Sequence, residues 1–349
     1  MATKQADYWR ERFAQLEEAA NQQGLSACAD LEFQYRKAQQ ELEAKIAVWY
    51  QRFADNNQTS LAEARKWLTG KDLEEFRWSV QDYIKYGREN AFSGAWMQQL
   101  ENASARFHIS RLDALKLHTQ QSAEVMFGNQ LDTVDAAMRK IYSSDYYHTA
   151  YEIQKGIGIG REIASIDQNK LLKILSKPWA VDGKNFSERI WGNKNKLINE
   201  LHTELTRNIM LGKAPDKAIE NIAKKMGTSK YNAGRLVMTE SAYFSAAAQR
   251  DCFGDLGVEK YEVVATLDSH TSDICQRLDG KVFDMKDYEP GVTAPPFHVW
   301  CRSTTVPYFD DDFESPGERA ARDEDGKTYY VPAGMKYSEW KKEYVKQPQ

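Results

Sequence analysis

Apolar residues near the start of the chain fall at helical spacing. Trp9, Phe13 and Leu16 step by four and three, which places them on one face of a helix. A longer series follows: Leu31, Tyr35, Ala38, Leu42, Ile46, Trp49 and Phe53. It averages close to the helical period, and Glu41, Glu43, Lys45 and Arg52 fill the other faces. Asp55-Asn56-Asn57 breaks the pattern. Ser60 and Glu63 then stand at capping-box spacing, because a serine oxygen accepts an orphan amide while the glutamate reaches back. Gly70 is expected to end that short helix. From about Leu73 to Leu131 the pattern predicts two or three more helices, with Gly87, Gly94 and Gly128 as breaks or points of close packing. Punctuation at Lys177-Pro178-Trp179 and Val181-Asp182-Gly183 suggests a boundary. A helix is expected from Ser187 to Leu211, ending at Gly212. Pro215 should begin the next, and Ser229 should cap a third that runs to about Phe253.

The period changes after Lys260. Val263, Ala265 and Leu267 alternate with Val264 and Thr266, as in a strand. Asp279-Gly280 is a tight-turn signal, since glycine accepts positive φ without steric cost, and it should feed a short strand through Val282 and Phe283. Pro290-Gly291 marks a second turn, Pro295-Pro296 enforces an extended approach to His298, and Val299 to Val306 can return as a strand. The expected fold is therefore mainly α, with a small C-terminal β module. The expected domains are a helical one over 1–180, helices followed by the β module over 181–309, and a tail over 310–349 that carries acidic and aromatic residues.

Length and charge narrow this picture. At 349 residues the chain is long for one domain, and its net charge of −4 lacks the basic excess of a protein that coats nucleic acid. No stretch approaches 18 continuous apolar residues, and the charged N-terminus lacks an apolar signal core, so a cytoplasmic origin with no membrane partner is expected. The four cysteines, Cys28, Cys252, Cys275 and Cys301, are too few and scattered for a disulfide scaffold. Trp49, Trp67, Trp78 and Trp96 are expected mainly as core. Gly156-Ile157-Gly158-Ile159-Gly160 lacks the lysine of a P-loop and is expected as a turn between helices.

One pair of motifs carries a resemblance. TSDICQRLDGKVF (271–283), followed by PGVTAPPFHVWCRSTT (290–305), resembles the Mu F-like minor head morphogenesis proteins of tailed phages. The likeness extends upstream through RLVMTESAYFSAAAQR and PWAVDGKNFSERIWGNKNKL, and through SLAEARKWL and SARFHISRLDALKL nearer the N-terminus, in the manner of the firmicute-phage branch. It implies a non-enzymatic minor capsid protein inside the procapsid and virion. Its implied partners are the portal, capsid and scaffold proteins and packaged DNA, with a role in head assembly, DNA packaging or ejection. Many relatives show C-x-x-C and H-P-x-C-R-C. Here Ser272 and Ser303 stand at two of those cysteine positions, and Val299 replaces the proline.

Cys275, His298 and Cys301 are the candidate metal ligands. Structural zinc takes four ligands in a tetrahedron, so Asp268, Asp273 or a water would have to complete the set. The preferred alternative is that both cysteines are small buried groups and His298 a hydrogen-bonded core histidine, with no cofactor. A Cys275–Cys301 disulfide is not expected in a reducing cytoplasm. Cys275 with His298 can also be read as a nucleophile and its base. Glu240 aligns with Leu236, Phe244 and Ala247 on an apolar helix face, and a buried carboxylate needs a partner. Arg302 is the candidate, in a clamp between helix and β module. Lys184, Arg189, Lys194 and Lys196 could touch packaged DNA. Two rival readings follow. One is a hydrolase or an ADP-ribosyl or nucleotidyl transferase using Cys275, His298 and Glu240. The other is a zinc-stabilised nucleic-acid-binding module.

Overall fold

The computed structural model describes residues 4–53, 64–92, 94–157, 165–309, 318–322 and 328–332. Helices dominate them: α1 (Lys4–Phe53), α2 (Lys71–Glu89), α3 (Gly94–Ala105), α4 (Arg111–Ile157), α5 (Gln168–Ser176), α6 (Phe186–Met210) and α7 (Pro215–Leu256). After α7 come β1 (Lys260–Val264), the short helix α8 (Asp273–Leu278), β2 (Val282–Asp284), a 3-10 turn (Met285–Asp287) and β3 (Thr304–Tyr308). The expected mainly-α fold with a small C-terminal β module is what the structure has.

Two compact units are present, and each is built from separated pieces of sequence. One comprises 1–29, 133–186 and 234–349; the other comprises 30–132 and 187–233. A division in sequence near 180 is thus a different statement from this division in space. Helices α1, α4 and α7 each supply a part to both units.

In the first unit, Trp9, Phe13 and Leu16 of α1 bury the face that their spacing predicted. They join Ile153 of α4, Phe253 of α7 and the strand residues Tyr261, Val263, Val264 and Val306 in one core. Each large side chain so enclosed contributes roughly 1.5–3 kcal/mol of transfer free energy. The sheet is antiparallel in the order β2-β1-β3, with Tyr261 opposite Phe283 on one side and opposite Pro307 on the other. Arg10 of α1 reaches Glu262 of β1 in a buried ion pair that ties helix to sheet. Gly24 allows α1 to approach α7 closely, since a Cβ there would lie 2.8 Å from the Ser241 hydroxyl.

In the second unit, Tyr35 of α1 donates to Gln130 of α4 and pairs with the Ser229 hydroxyl of α7. Lys194 of α6 and Glu124 of α4 form a buried pair at 2.8 Å. Trp96 of α3 donates to Gln121 of α4.

Several boundaries differ from the sequence reading. Pro215 does begin a helix, but Ser229 caps nothing: α7 continues through it, and the serine is spent on Tyr35. Gly212, at φ 60°, closes α6 as expected, whereas Gly70, at φ 51°, precedes α2 and ends no helix. Helix continues through Gly87 and Gly128, so neither is a break, but Gly87 is the expected kind of close-packing point, since a Cβ there would collide with the Met97 sulfur. Helix α8 lies where no element is predicted, and β3 begins five residues later than Val299. Trp49 and Trp96 are core, but Trp67 and Trp78 are exposed. The Asp55 break, the Ser60 capping box and most of 156–160 lie outside the described residues. So does most of the tail, in which β4 (Glu318–Arg322) and β5 (Thr328–Pro332) pair antiparallel.

Candidate functional site

The loop that leaves β1 is held by its own polar groups. Asp268 accepts from the His270 amide at 2.9 Å and from the Thr271 hydroxyl at 3.1 Å, and it pairs with Arg302. Ser272 then caps α8, its hydroxyl accepting the Cys275 amide at 3.4 Å. This cap fixes the helix that carries Cys275. Asp279 ends α8 and accepts the Ala265 amide at 2.9 Å, which ties the helix back to the strand.

A second loop supplies the other two groups. The Cys301 amide donates to the His298 carbonyl, closing a turn in which Trp300 sits at φ 63°. A left-handed conformation costs a non-glycine residue about 1–2 kcal/mol. The Trp300 amide finds the Thr239 hydroxyl of α7 at 3.4 Å.

The two loops converge. Cys275 Sγ lies 3.2 Å from His298 Nε2 and 3.9 Å from Cys301 Sγ. The three ligand atoms all fall within 4.8 Å of one another. His298 Nδ1 is 2.7 Å from the Val299 carbonyl, so that nitrogen carries a proton and Nε2 faces the sulfur. The Cys301 thiol donates to Cys275 and holds its pKa well below the usual thiol range, against the opposing effect of burial; His298, Ser272 and Ser303 help. Cys301 is pushed up by Cys275 and then by burial. His298 is raised chiefly by its bond to Cys275. Cys275 Sγ thus sits between His298 Nε2 and Cys301 Sγ.

The sequence-predicted set is thus brought together. Its spacings suit three corners of a zinc tetrahedron, whose sulfur ligands stand about 2.3 Å from the ion. Among the described residues no fourth cysteine, histidine or carboxylate joins them. Asp268 is spent on Arg302, and the Ser272 hydroxyl accepts the Cys275 amide. Beside Cys301 and Ser303 is a cavity of about 20 Å³, lined also by Ser241, Ser245 and Gln249 of α7.

The predicted clamp has other partners. Glu240 is 1% exposed, as its position on an apolar face implied. Its carboxylate accepts the Trp179 indole N–H at 2.9 Å, and Trp179 stacks on Tyr243 at 4.5 Å. Arg302 is paired with Asp268 and does not serve Glu240 in the predicted way. Trp179 was legible only as punctuation beside Pro178, and no spacing rule links it to residue 240. Of the proposed DNA-contacting cations, Lys184 and Lys196 are exposed, but Lys194 is buried against Glu124.

Residues 199–306 match the family model described as Phage Mu protein F like protein. Over this stretch the chain is similar to that family. The stretch runs from within α6 to β3, and it contains Glu240 and the whole Cys275, His298 and Cys301 cluster. The family is one of phage head morphogenesis. A protein of Enterococcus faecalis (strain ATCC 700802 / V583), NAD(+)--arginine ADP-ribosyltransferase EFV, is 24% identical over 216 residues, covering 60% of this chain and 42% of that protein. The chain therefore spans about two-fifths of the length of that curated relative. No solved structure matches. No helix among the described residues is long and apolar enough to cross a membrane.

Proposed function

We propose that this chain is a minor capsid protein of a tailed phage. In this reading it binds the portal and the inner capsid wall, and it acts in head assembly, in DNA delivery, or in both. The Mu F-like match over 199–306 carries the reading. Surface chemistry supports it: the second unit exposes Trp67, Trp78 and Phe107, at 56%, 68% and 73%. Contiguous exposed apolar surface marks partner sites, and in this reading these three side chains contribute to one. Many weak contacts to a ring of portal subunits would add through effective concentration. Co-expression with the portal protein of the same genome tests the proposal. A co-purifying complex, and a few copies of the chain in procapsids, are expected. Absence of the chain from both procapsids and virions would refute it.

The relative named as an arginine ADP-ribosyltransferase motivates a second reading, in which this chain transfers ADP-ribose. Such chemistry needs a carboxylate that meets the substrate, and Glu240 is enclosed and engaged by Trp179. Incubation with NAD and an arginine analogue is expected to give neither nicotinamide release nor a modified analogue. Turnover abolished by Glu240→Gln in a variant that melts like wild type would favour the transferase.

A further inference from the structure

We propose that Cys275 and Cys301 form a reversible disulfide that locks the β module. The two sulfurs are already in contact at 3.9 Å, and an S–S bond of about 2.05 Å needs them to close by only about 2 Å. Cys275 is carried on α8 and Cys301 on the loop before β3, so the bond would close a loop that contains β2 and the 3-10 turn. Ser272 and Ser303 beside Cys275 cannot form such a bond, which leaves one pairing within the cluster. Cys28 lies on α1, with its sulfur against the Gly234 carbonyl at 3.8 Å, and Cys252 is buried in α7.

The oxidant is a small hydroperoxide. Its terminal oxygen transfers to the Cys275 sulfur, the O–O bond breaks, and an alcohol or water leaves while Cys275 becomes a sulfenic acid. The Cys301 sulfur then attacks the Cys275 sulfur. The S–S bond forms, the S–O bond breaks, and the hydroxyl departs as water with the Cys301 proton. Two electrons pass from the thiol pair to one peroxide. Both sulfurs are buried next to half-exposed Val299 and Trp300, so a small oxidant reaches them by local opening of that loop, and the finished bond is shielded. Thiols stay reduced in a cytoplasm and disulfides persist on released particles. That timing, though not the bond, rests on the phage reading above.

The test uses the full chain, purified with reductant, freed of metal by a chelator and exposed to hydrogen peroxide. Titration under denaturing conditions should fall from four thiols to two, with a loss of two hydrogens in mass and a peptide linking Cys275 to Cys301. Cys28→Ser and Cys252→Ser should each still lose two thiols, and Cys275→Ser and Cys301→Ser should form no such link. A second check, independent of those variants folding, is that dithiothreitol restores all four thiols in the wild type. Four thiols persisting after peroxide, a link between a different pair, or irreversible oxidation of Cys275 alone would overturn the proposal. In particles, alkylation before reduction reads the same pair; a chain missing from the particles would count against the head-protein reading and leave the peroxide result standing.

Discussion

Asp145 is a buried charge whose cost can be measured. It lies on α4 at 1% exposure, and the Oδ2 oxygen has no hydrogen-bond partner among the described residues. Burial pushes its carboxyl up from 3.8 to about 7, against the smaller opposing effects of the Ser245 hydroxyl and the charge of His148. The folded state therefore holds the proton more tightly than the unfolded state. Stability is greatest below about pH 4 as far as this group is concerned, and it is lost as pH rises through 7. At about 1.4 kcal/mol per pH unit the full loss is about 4 kcal/mol, of which about 2–3 falls between pH 5 and pH 8. Asp145→Asn removes the titration and keeps an acceptor for Ser245. Its new N–H donors lack a partner, which costs about 1–3 kcal/mol at every pH. The variant should thus be near parity with wild type, or below it, at pH 5 and more stable at pH 8. Urea unfolding of both proteins at both pH values, followed by tryptophan fluorescence, gives the difference directly. Parallel pH dependence in the two proteins would refute the argument, because every other titrating group is common to both.

Trp179→Phe keeps the stack on Tyr243 and deletes the indole donor to Glu240, so it should cost about 1.5–3 kcal/mol; a loss under about 0.5 kcal/mol in urea unfolding would show that the bond does not matter. Arg10→Met leaves Glu262 buried without its cation and should cost about 3–5 kcal/mol, and a thermal midpoint equal to wild type would contradict the described pair. Protein purified without chelator should contain no stoichiometric zinc by elemental analysis, given two serines where relatives carry cysteine; zinc lost together with Cys301→Ser would make the cluster a structural metal site.

Helix faces were the most legible feature. Trp9, Phe13, Leu16, Leu31, Tyr35 and Leu42 are all buried, because a 3.6-residue period needs no tertiary information. Helix ends were less so. Ser229 looks like a cap locally, but Tyr35 from a segment 194 residues away occupies its hydroxyl and the helix runs on. Trp67 and Trp78 share the composition of core tryptophans yet lie on the surface, which helical spacing alone does not decide. The partners of Glu240 and Arg302 were not legible at all. Glu240 was rightly singled out as a charge needing compensation, and Arg302 was named as its partner. Choosing among the available partners requires knowing that Asp268 turns toward Arg302, and that follows only from the loop geometry around Thr271.

The cluster of Cys275, His298 and Cys301 was legible as a set and ambiguous as chemistry, and its surroundings favour structure over catalysis. A nucleophile and base need a substrate between them and open space in front. Here the base spends its second nitrogen on the Val299 carbonyl, and the second sulfur fills the space beside the first. The cavity that touches Cys301 is about 20 Å³, enough for one water. Its lining residues include Ser241 and Gln249, whose Oγ and Nε2 are buried without a hydrogen-bond partner among the described residues, while Gln249 Oε1 accepts from Thr304 and Thr305. Small-molecule sites occupy some 300–1,000 Å³. Ser272 and Ser303 complete the same logic. Ser272, where relatives carry a cysteine, caps the helix by accepting the Cys275 amide, and Ser303 helps to hold the Cys275 pKa down.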